Sequence, residues 1–257
     1  MHMRLLALDF DGVICDSAPE NAATAWHCCQ RLWPEDFPDG EVPPAQVERF
    51  CAVARPYLET GYQAILMTRL MRQGAPESAY GIDFPAHVRE HIAASGLTME
   101  ELKRAFGGER DRWTRDDLAS WLGFNRLYDG AAEALAALRQ RKDVRVIILT
   151  TKEDRFVKRI LDNFGVPFAQ EDIYGLERIR KKDIELADFL ASGAYERIAF
   201  VEDRLLTLLR CAEIRALDDM ELCFAPWGYT SAEQRAQAEA NSRVKVLDGV
   251  AALAEML

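Results

Sequence analysis

Leu5-Leu6-Ala7-Leu8-Asp9-Phe10-Asp11-Gly12-Val13-Ile14-Cys15-Asp16-Ser17 is the stretch on which the reading of this chain turns. An apolar run long enough for one buried strand stops at two carboxylates spaced two apart, then meets a glycine and a turn-forming Asp-Ser pair. In extended backbone, side chains at i and i+2 share a face, so Asp9 and Asp11 converge if the extension persists past the strand end. Gly12 lets the chain turn sharply beside them. The expectation is a strand that delivers acids to the edge of a sheet.

Beyond Ser17 the pattern turns helical. Residues 18–33 read as a helix and the proline- and acid-rich stretch 34–44 as a loop. Val47, Phe50, Cys51, Ala54, Leu58, Tyr62, Ile65 and Leu66 follow three-and-four spacing, the strongest helical signal in the chain, with Gly61 as a kink or boundary. After a loop over 74–84, Thr98-Met99-Glu100-Glu101 has the capping-box pattern of a helix start, and 111–122 is a further helical candidate. No strand is read between about 18 and 127.

At Gly130 strands begin to alternate with helices. Helices are expected over 131–141, 153–163, 182–192, around 204–212, over 231–241 and, to close, over 249–257. Between them lie strands at Val144–Leu149, 172–175, Ile198–Val201, 221–225 and 244–247, several rich in β-branched residues. The alternation predicts an α/β fold: a doubly wound, mostly parallel Rossmann-like sheet core over residues 1–17 and 128–257, with an all-helical cap inserted at 18–127.

Composition sets the outer limits. The chain has 257 residues, 49% hydrophobic and 29% charged, the profile of an ordinary globular protein with room for a sizeable core. No apolar run approaches about 20 residues, so neither a membrane span nor a signal peptide fits and a cytoplasmic location is expected. Met1-His2 is set aside as a cloning remnant. The six cysteines include no C-x-x-C pair and read as reduced, mostly buried small hydrophobes. His87 and His91 fall at i and i+4 without a third ligand nearby, which reads as a solvated helix face and not as zinc. A formal net charge of −10 argues against nucleic-acid and anionic-membrane partners. An anionic substrate would then require a metal ion and a local cluster of bases.

Sites in open α/β sheets form at the carboxyl ends of strands, near the switch point of the topology. Three strand ends here finish in reactive groups: Asp9 and Asp11, Thr150 and Thr151, Glu202 and Asp203. Arg178-Ile179-Arg180-Lys181-Lys182 adds bases at the turn before a helix. Taken singly these are a strand-ending turn, helix caps and a solvated charge run; their joint order is what points to chemistry.

That set resembles the haloacid dehalogenase superfamily of phosphotransferases, in the branch whose cap follows the first motif, like phosphoglycolate phosphatase and β-phosphoglucomutase. The resemblance covers roughly residues 3–17 and 128–257, while the insert matches in length, position and helical character alone. It implies a Mg²⁺-dependent phosphoric monoester hydrolase, because Mg²⁺ held by carboxylate oxygens neutralises an anionic ester and orients it for in-line displacement. By that likeness Asp9 is the nucleophile that forms an aspartyl-phosphate and Asp11 the general acid, then base. Thr150 hydrogen-bonds a phosphoryl oxygen, and a lysine steadies the transition state. The family's lysine-proline pair is absent, and Lys181 and Lys182 align about equally well; the helix phase of Leu186 and Leu190 favours Lys181. Asp203 is the metal ligand of the last motif with Glu202 as a second or outer ligand, alongside Asp9 and the Asp11 carbonyl.

The cap would close over the carboxyl edge and hold specificity, with Arg55, Arg69, Arg72, Tyr57, Tyr62 and Tyr80, and Thr151 from the core, as candidate substrate contacts. The expected partner is a small phosphorylated metabolite bound by a monomer or homodimer. Asp11 disfavours a dehalogenase, whose relatives lack that second acid. A Schiff-base phosphonate hydrolase is disfavoured because the only lysine of the cap is Lys103. A phosphomutase of the β-phosphoglucomutase type uses the same motifs and remains open, as does a non-catalytic phosphate-binding relative. A phospho-aspartate receiver domain fits poorly, being about half this length and without a helical insert.

Overall fold

The computed structural model describes residues 3–257; Met1 and His2, the pair set aside above, lie outside the described residues. The strands are β1 (Met3–Leu8), β2 (Cys15–Asp16), β3 (Arg126–Leu127), β4 (Val144–Leu149), β5 (Ile173–Tyr174), β6 (Tyr195–Glu202), β7 (Glu221–Phe224) and β8 (Val244–Val246). Six of them form one parallel sheet in the order β5-β4-β1-β6-β7-β8. The chain divides into two compact units: residues up to Asp16 with Arg126–Leu257, and Ser17–Asn125.

In the first unit β1 is the central strand, and Leu5, Leu6, Ala7 and Leu8 are fully buried. A parallel strand covered on both faces has to be apolar throughout, which is why this run shows no alternation. Its register sets the site. Leu8 pairs with Ile148 of β4 on one side and with Val201 of β6 on the other. The next residues, Asp9 and Glu202, therefore emerge level with one another, and Thr150 follows one step beyond β4. The backbone N–H of Asp9 still donates to Val201 O at 2.9 Å and that of Thr150 to Tyr174 O at 2.9 Å, so both polar side chains start from backbone the sheet holds.

Two segments differ from their sequence reading here. The closing segment is a 3₁₀ turn, Val250–Glu255, and not an α-helix. A short antiparallel ladder joins β2 to β3, pairing Cys15 with Leu127 and Asp16 with Arg126. Neither strand was anticipated, because two residues carry no periodicity to detect.

The second unit is helical: Ala18–Leu32, Pro44–Arg49, Gln63–Arg72, Glu77–Tyr80, Phe84–Ser95, Met99–Asp116 and Leu118–Gly123. The strongest helical signal, 47–66, is not one helix. After Arg49 it passes through a π turn at Phe50–Ala54 and a 3₁₀ turn at Arg55–Tyr57, and resumes at Gln63. Pro56 is the cause, since it has no N–H to donate and its ring clashes with the preceding turn. The 111–122 candidate is also split. Asp117 ends one helix and caps the next, its Oδ1 accepting from Ser120 N at 2.9 Å. The capping box at Thr98 is present, with Glu101 N donating to Thr98 Oγ1 at 3.2 Å and Thr98 N to Glu101 Oε2 at 2.8 Å.

Three helices of this unit are tied by a buried charge. Glu20 is fully buried, and Arg110 donates to both its oxygens, at 2.8 and 2.7 Å. Thr24 Oγ1 and Trp121 Nε1 donate to Oε1 as well, at 2.6 and 3.1 Å. The cysteines are free thiols, and all but Cys51 are buried. No helix among the described residues is long and apolar enough to cross a membrane.

Candidate active site

The carboxyl edge of the sheet gathers three buried acids. Asp9 leaves β1, Glu202 ends β6 and Asp203 follows it; among the described residues one ligand oxygen from each lies within 4.8 Å of the others. Three carboxylates this close repel one another, and burial removes the water that would screen them. Asp9 shows the consequence: burial first, and the Glu202 charge second, push its carboxyl up to about 7, against the downward pull of Lys182.

Lys182 is the cation set against them. Its Nζ lies 2.8 Å from Asp9 Oδ1 and 2.7 Å from Glu202 Oε2, in a side chain only 10% exposed. Burial by itself pulls the ammonium down from its ordinary range, but Asp9 and Glu202 outweigh that and hold it above that range. Glu202 spends both oxygens locally, Oε1 accepting from Arg204 N at 3.1 Å. Asp9 Oδ1 meets its ammonium neighbour off the hydrogen-bonding angle, so this buried oxygen lacks an aligned donor. An oxygen in that state, in a donor set made only of carboxylates, suits a hard divalent cation.

The reading that favoured Lys181 is overturned. Lys181 is exposed, with extended backbone at φ −153° and ψ 149°, at the cap position before the helix. Lys182 opens the helix Lys182–Ala191 and is four residues before the fully buried Leu186, so it shares that inward face. The helix phase, traced back from Leu190 and Leu186 in steps of four, arrives at Lys182.

Asp11 lies past the end of β1, its side chain 18% exposed. It is met by Lys152, whose Nζ approaches Asp11 Oδ1 to 3.1 Å from a side chain with no exposure at all. Thr150 is buried, and its Oγ1 accepts from Lys152 N at 3.2 Å. Thr151 is exposed. Lys152 had no role assigned from the sequence. It stands two residues past a strand end, where a turn lysine reads as solvated until the fold closes around it.

A second missed element is the loop after β7. Tyr229 N donates to Asp203 Oδ2 at 2.8 Å, Tyr229 Oη to Asp16 Oδ1 at 2.9 Å, and Trp227 Nε1 to Val13 O at 3.1 Å. Gly228 lies so close that a Cβ there would stand 2.3 Å from the Gly12 carbonyl oxygen and 2.4 Å from Asp203 Cβ. Gly12 itself has φ +92°, and a Cβ on it would fall 2.0 Å from Asp203 Oδ2. Both positions exclude a side chain because backbone and carboxylate fill the space. Pro226-Trp227-Gly228 after a strand was the available signal, by the same strand-end rule that singled out Asp9.

Of the helical-unit candidates, Arg69 lies over the Trp33 ring at 4.3 Å and donates to Ala94 O at 3.1 Å. Arg72 donates to Asp36 O at 2.6 Å. Both guanidinium groups are engaged by the unit's own residues.

The sequence model described as haloacid dehalogenase-like hydrolase matches residues 3–206. No curated protein matches the chain. Among solved structures, one described as a "predicted phosphatase" from Clostridium acetobutylicum is 17% identical, covering 99% of this chain and 98% of that one, with a TM-score of 0.60. One described as a "predicted phosphoglycolate phosphatase" from Haemophilus somnus is 14% identical over 99% and 98%, with a TM-score of 0.61. Protein tyrosine kinase A of Mycobacterium tuberculosis is 19% identical over 99% and 97%, with a TM-score of 0.52. At such identities the likeness is one of fold, and it spans both hydrolases and a protein named as a kinase.

Proposed function

The chain belongs to the haloacid dehalogenase-like hydrolases, and from that premise we propose that it is a Mg²⁺-dependent phosphoric monoester hydrolase acting on a small phosphorylated metabolite. The observation that carries the reading is the convergence of Asp9, Glu202 and Asp203 with the Lys182 ammonium 2.8 Å from Asp9. That cluster offers a nucleophilic carboxylate, two further acids and a fixed positive charge at one sheet edge, the parts that in-line phosphoryl transfer requires.

In this mechanism a carboxylate oxygen of Asp9 attacks phosphorus, and the bond to the leaving oxygen breaks as Asp11 gives that oxygen a proton. Asp11 then takes a proton from water, which attacks the aspartyl-phosphate and releases inorganic phosphate, restoring Asp9. Lys182 holds its charge beside Asp9 throughout and offsets the negative charge growing on the phosphoryl oxygens. Thr150 provides a hydroxyl at the neighbouring strand end. Asp9, Asp203 and the Asp11 carbonyl would hold Mg²⁺, which when bound neutralises phosphate charge and draws the Asp9 carboxyl toward its ionised form. Glu202, with both oxygens already used, supports Lys182 in preference to the metal.

The test is hydrolysis of 4-nitrophenyl phosphate and a panel of small phosphorylated metabolites, phosphoglycolate among them, with Mg²⁺ and with chelator. Turnover that needs Mg²⁺ and vanishes in Asp9→Asn is expected. Turnover surviving Asp9→Asn, or none on any ester, overturns the proposal; isomerised sugar phosphate in place of free phosphate would make the protein a mutase.

A further inference from the structure

Each acid of the first motif has its own buried lysine, and the two lysines come from opposite sides of β1. Lys182, from the helix before β6, serves Asp9. Lys152, from the turn after β4, serves Asp11 at 3.1 Å. The first is accounted for by charge on the phosphoryl group. The second faces the residue that handles the leaving-group proton.

We propose that Lys152 is the positioning residue of the Asp11 acid: its ammonium fixes the carboxylate so that the proton passes to the leaving oxygen. The assignment rests on the phosphatase reading above and extends it to a residue that reading does not use. Three observations carry it. The Lys152 side chain is fully buried, and a buried ammonium is retained only where a carboxylate and hydrogen bonds compensate its lost hydration. Its backbone is held at both ends of the peptide, the N–H by Thr150 Oγ1 at 3.2 Å and the carbonyl by Leu176 N at 3.0 Å, so the stem starts from a fixed point. Asp11 lies past the end of β1 on a turn closed by Gly12 N donating to Cys15 O at 2.9 Å, and its side chain is partly exposed, so the direction of its carboxylate is set by the charges that meet it, Lys152 among them. An acid must be held to within a few tenths of an ångström of its target to transfer a proton efficiently.

The proton balance leaves Lys152 unchanged. Asp11 loses its proton to the leaving oxygen as the P–O bond breaks and regains one from water in the second half-reaction. Lys152 keeps its three protons and donates to Oδ1, directing the exchangeable proton to Oδ2.

A positioning role through Asp11 makes a demand that a packing role does not, because a leaving group that departs without a proton is indifferent to Asp11 in the half-reaction that expels it. The experiment compares 4-nitrophenyl phosphate with an alkyl phosphate of the panel that the wild type hydrolyses, in wild type, Lys152→Met, Lys152→Arg, Asp11→Asn and Lys152→Met combined with Asp11→Asn. Lys152→Met should lose about 10-fold to 100-fold in kcat/KM on the alkyl ester and less than about 3-fold on the nitrophenyl ester, because kcat/KM reports the half-reaction that expels the leaving group and not the water step common to both esters. Lys152→Arg should recover part of the alkyl activity, and the double variant should be no slower than Asp11→Asn alone. Equal losses on both esters, or additive losses in the double variant, overturn the assignment while leaving the phosphatase reading intact. Absence of wild-type turnover on every ester of the panel overturns both. Should Lys152→Met fail to fold, the same ester ratio measured in Lys152→Gln decides the matter.

Discussion

Lys182 Nζ lies 2.8 Å from Asp9 Oδ1, and the helix Lys182–Ala191 begins on the last residue of the basic run, which puts Lys182 on the inward face it shares with Leu186. Lys181, its neighbour, is the cap residue and is exposed. Lys182→Ala is expected to lower kcat on an aryl phosphate by about 10²–10³-fold, the cost of removing a fixed charge from a developing anion. Lys181→Ala should stay within about twofold of the parent. Steady-state kinetics on the pair checks this, and a larger loss in Lys181→Ala than in Lys182→Ala would return the assignment to Lys181.

The Lys182 ammonium offsets only part of the repulsion among Asp9, Glu202 and Asp203, and a divalent cation would offset more of it. Mg²⁺ should therefore stabilise the folded state, by about 2.7 kcal/mol at a hundredfold excess over Kd, and raise the melting temperature accordingly. Asp203→Asn should melt at or above the metal-free parent and lose most of the Mg²⁺ response. Differential scanning calorimetry with Mg²⁺ and with chelator reads both effects, and a Mg²⁺ shift undiminished in Asp203→Asn would remove Asp203 from the metal site.

Asp154 opens the helix Asp154–Asn163 with a buried Oδ1 that has no hydrogen-bond partner, beside Glu177, which accepts from Asp154 N at 2.8 Å. Burial first, then Glu177, push its carboxyl up to about 6 from an ordinary 3.8. The folded protein thus binds this proton more tightly than the unfolded chain. The resulting stabilisation is complete below about pH 4 and is lost as pH rises through about 6. Asp154→Asn should raise stability at pH 7.5 by of order 1 kcal/mol and flatten the change between pH 4 and 7. Urea melts across that range check it, and an unchanged pH slope would count against the raised carboxyl.

Glu20 and Arg110 form a fully desolvated pair that also satisfies Thr24 and Trp121. Removing one partner of such a pair strands the other charge, so Arg110→Ala is expected to destabilise the helical unit by about 3–5 kcal/mol. Glu20→Gln with Arg110→Met should cost less than Arg110→Ala alone. Denaturant unfolding of the three proteins tests the ordering.

Strand ends were the most legible feature of this protein. Leu5 to Leu8 is apolar at every position because both sheet faces are covered, and such a run announces a central parallel strand without knowledge of its neighbours. The capping residues Thr98 and Glu101 were equally readable, since their partners lie within one turn. Pro56 shows the limit of periodicity: the apolar spacing runs on through 47–66, while one missing N–H and a ring clash break the helix.

By itself, then, the sequence determined what depends on neighbours along the chain: which segments form the six-stranded sheet, that three of them carry reactive residues at their ends, and that a helical stretch interrupts the sheet after the first. Tertiary structure alone decided which charges meet. Lys182 and not Lys181 reaches Asp9, Lys152 reaches Asp11, and Gly228 makes room against Gly12 and Asp203. These are contacts between residues far apart in the chain, selected by sheet register and by burial. A buried ammonium and a solvated one are the same letter in a sequence, and only the surrounding carboxylates and the loss of water tell them apart.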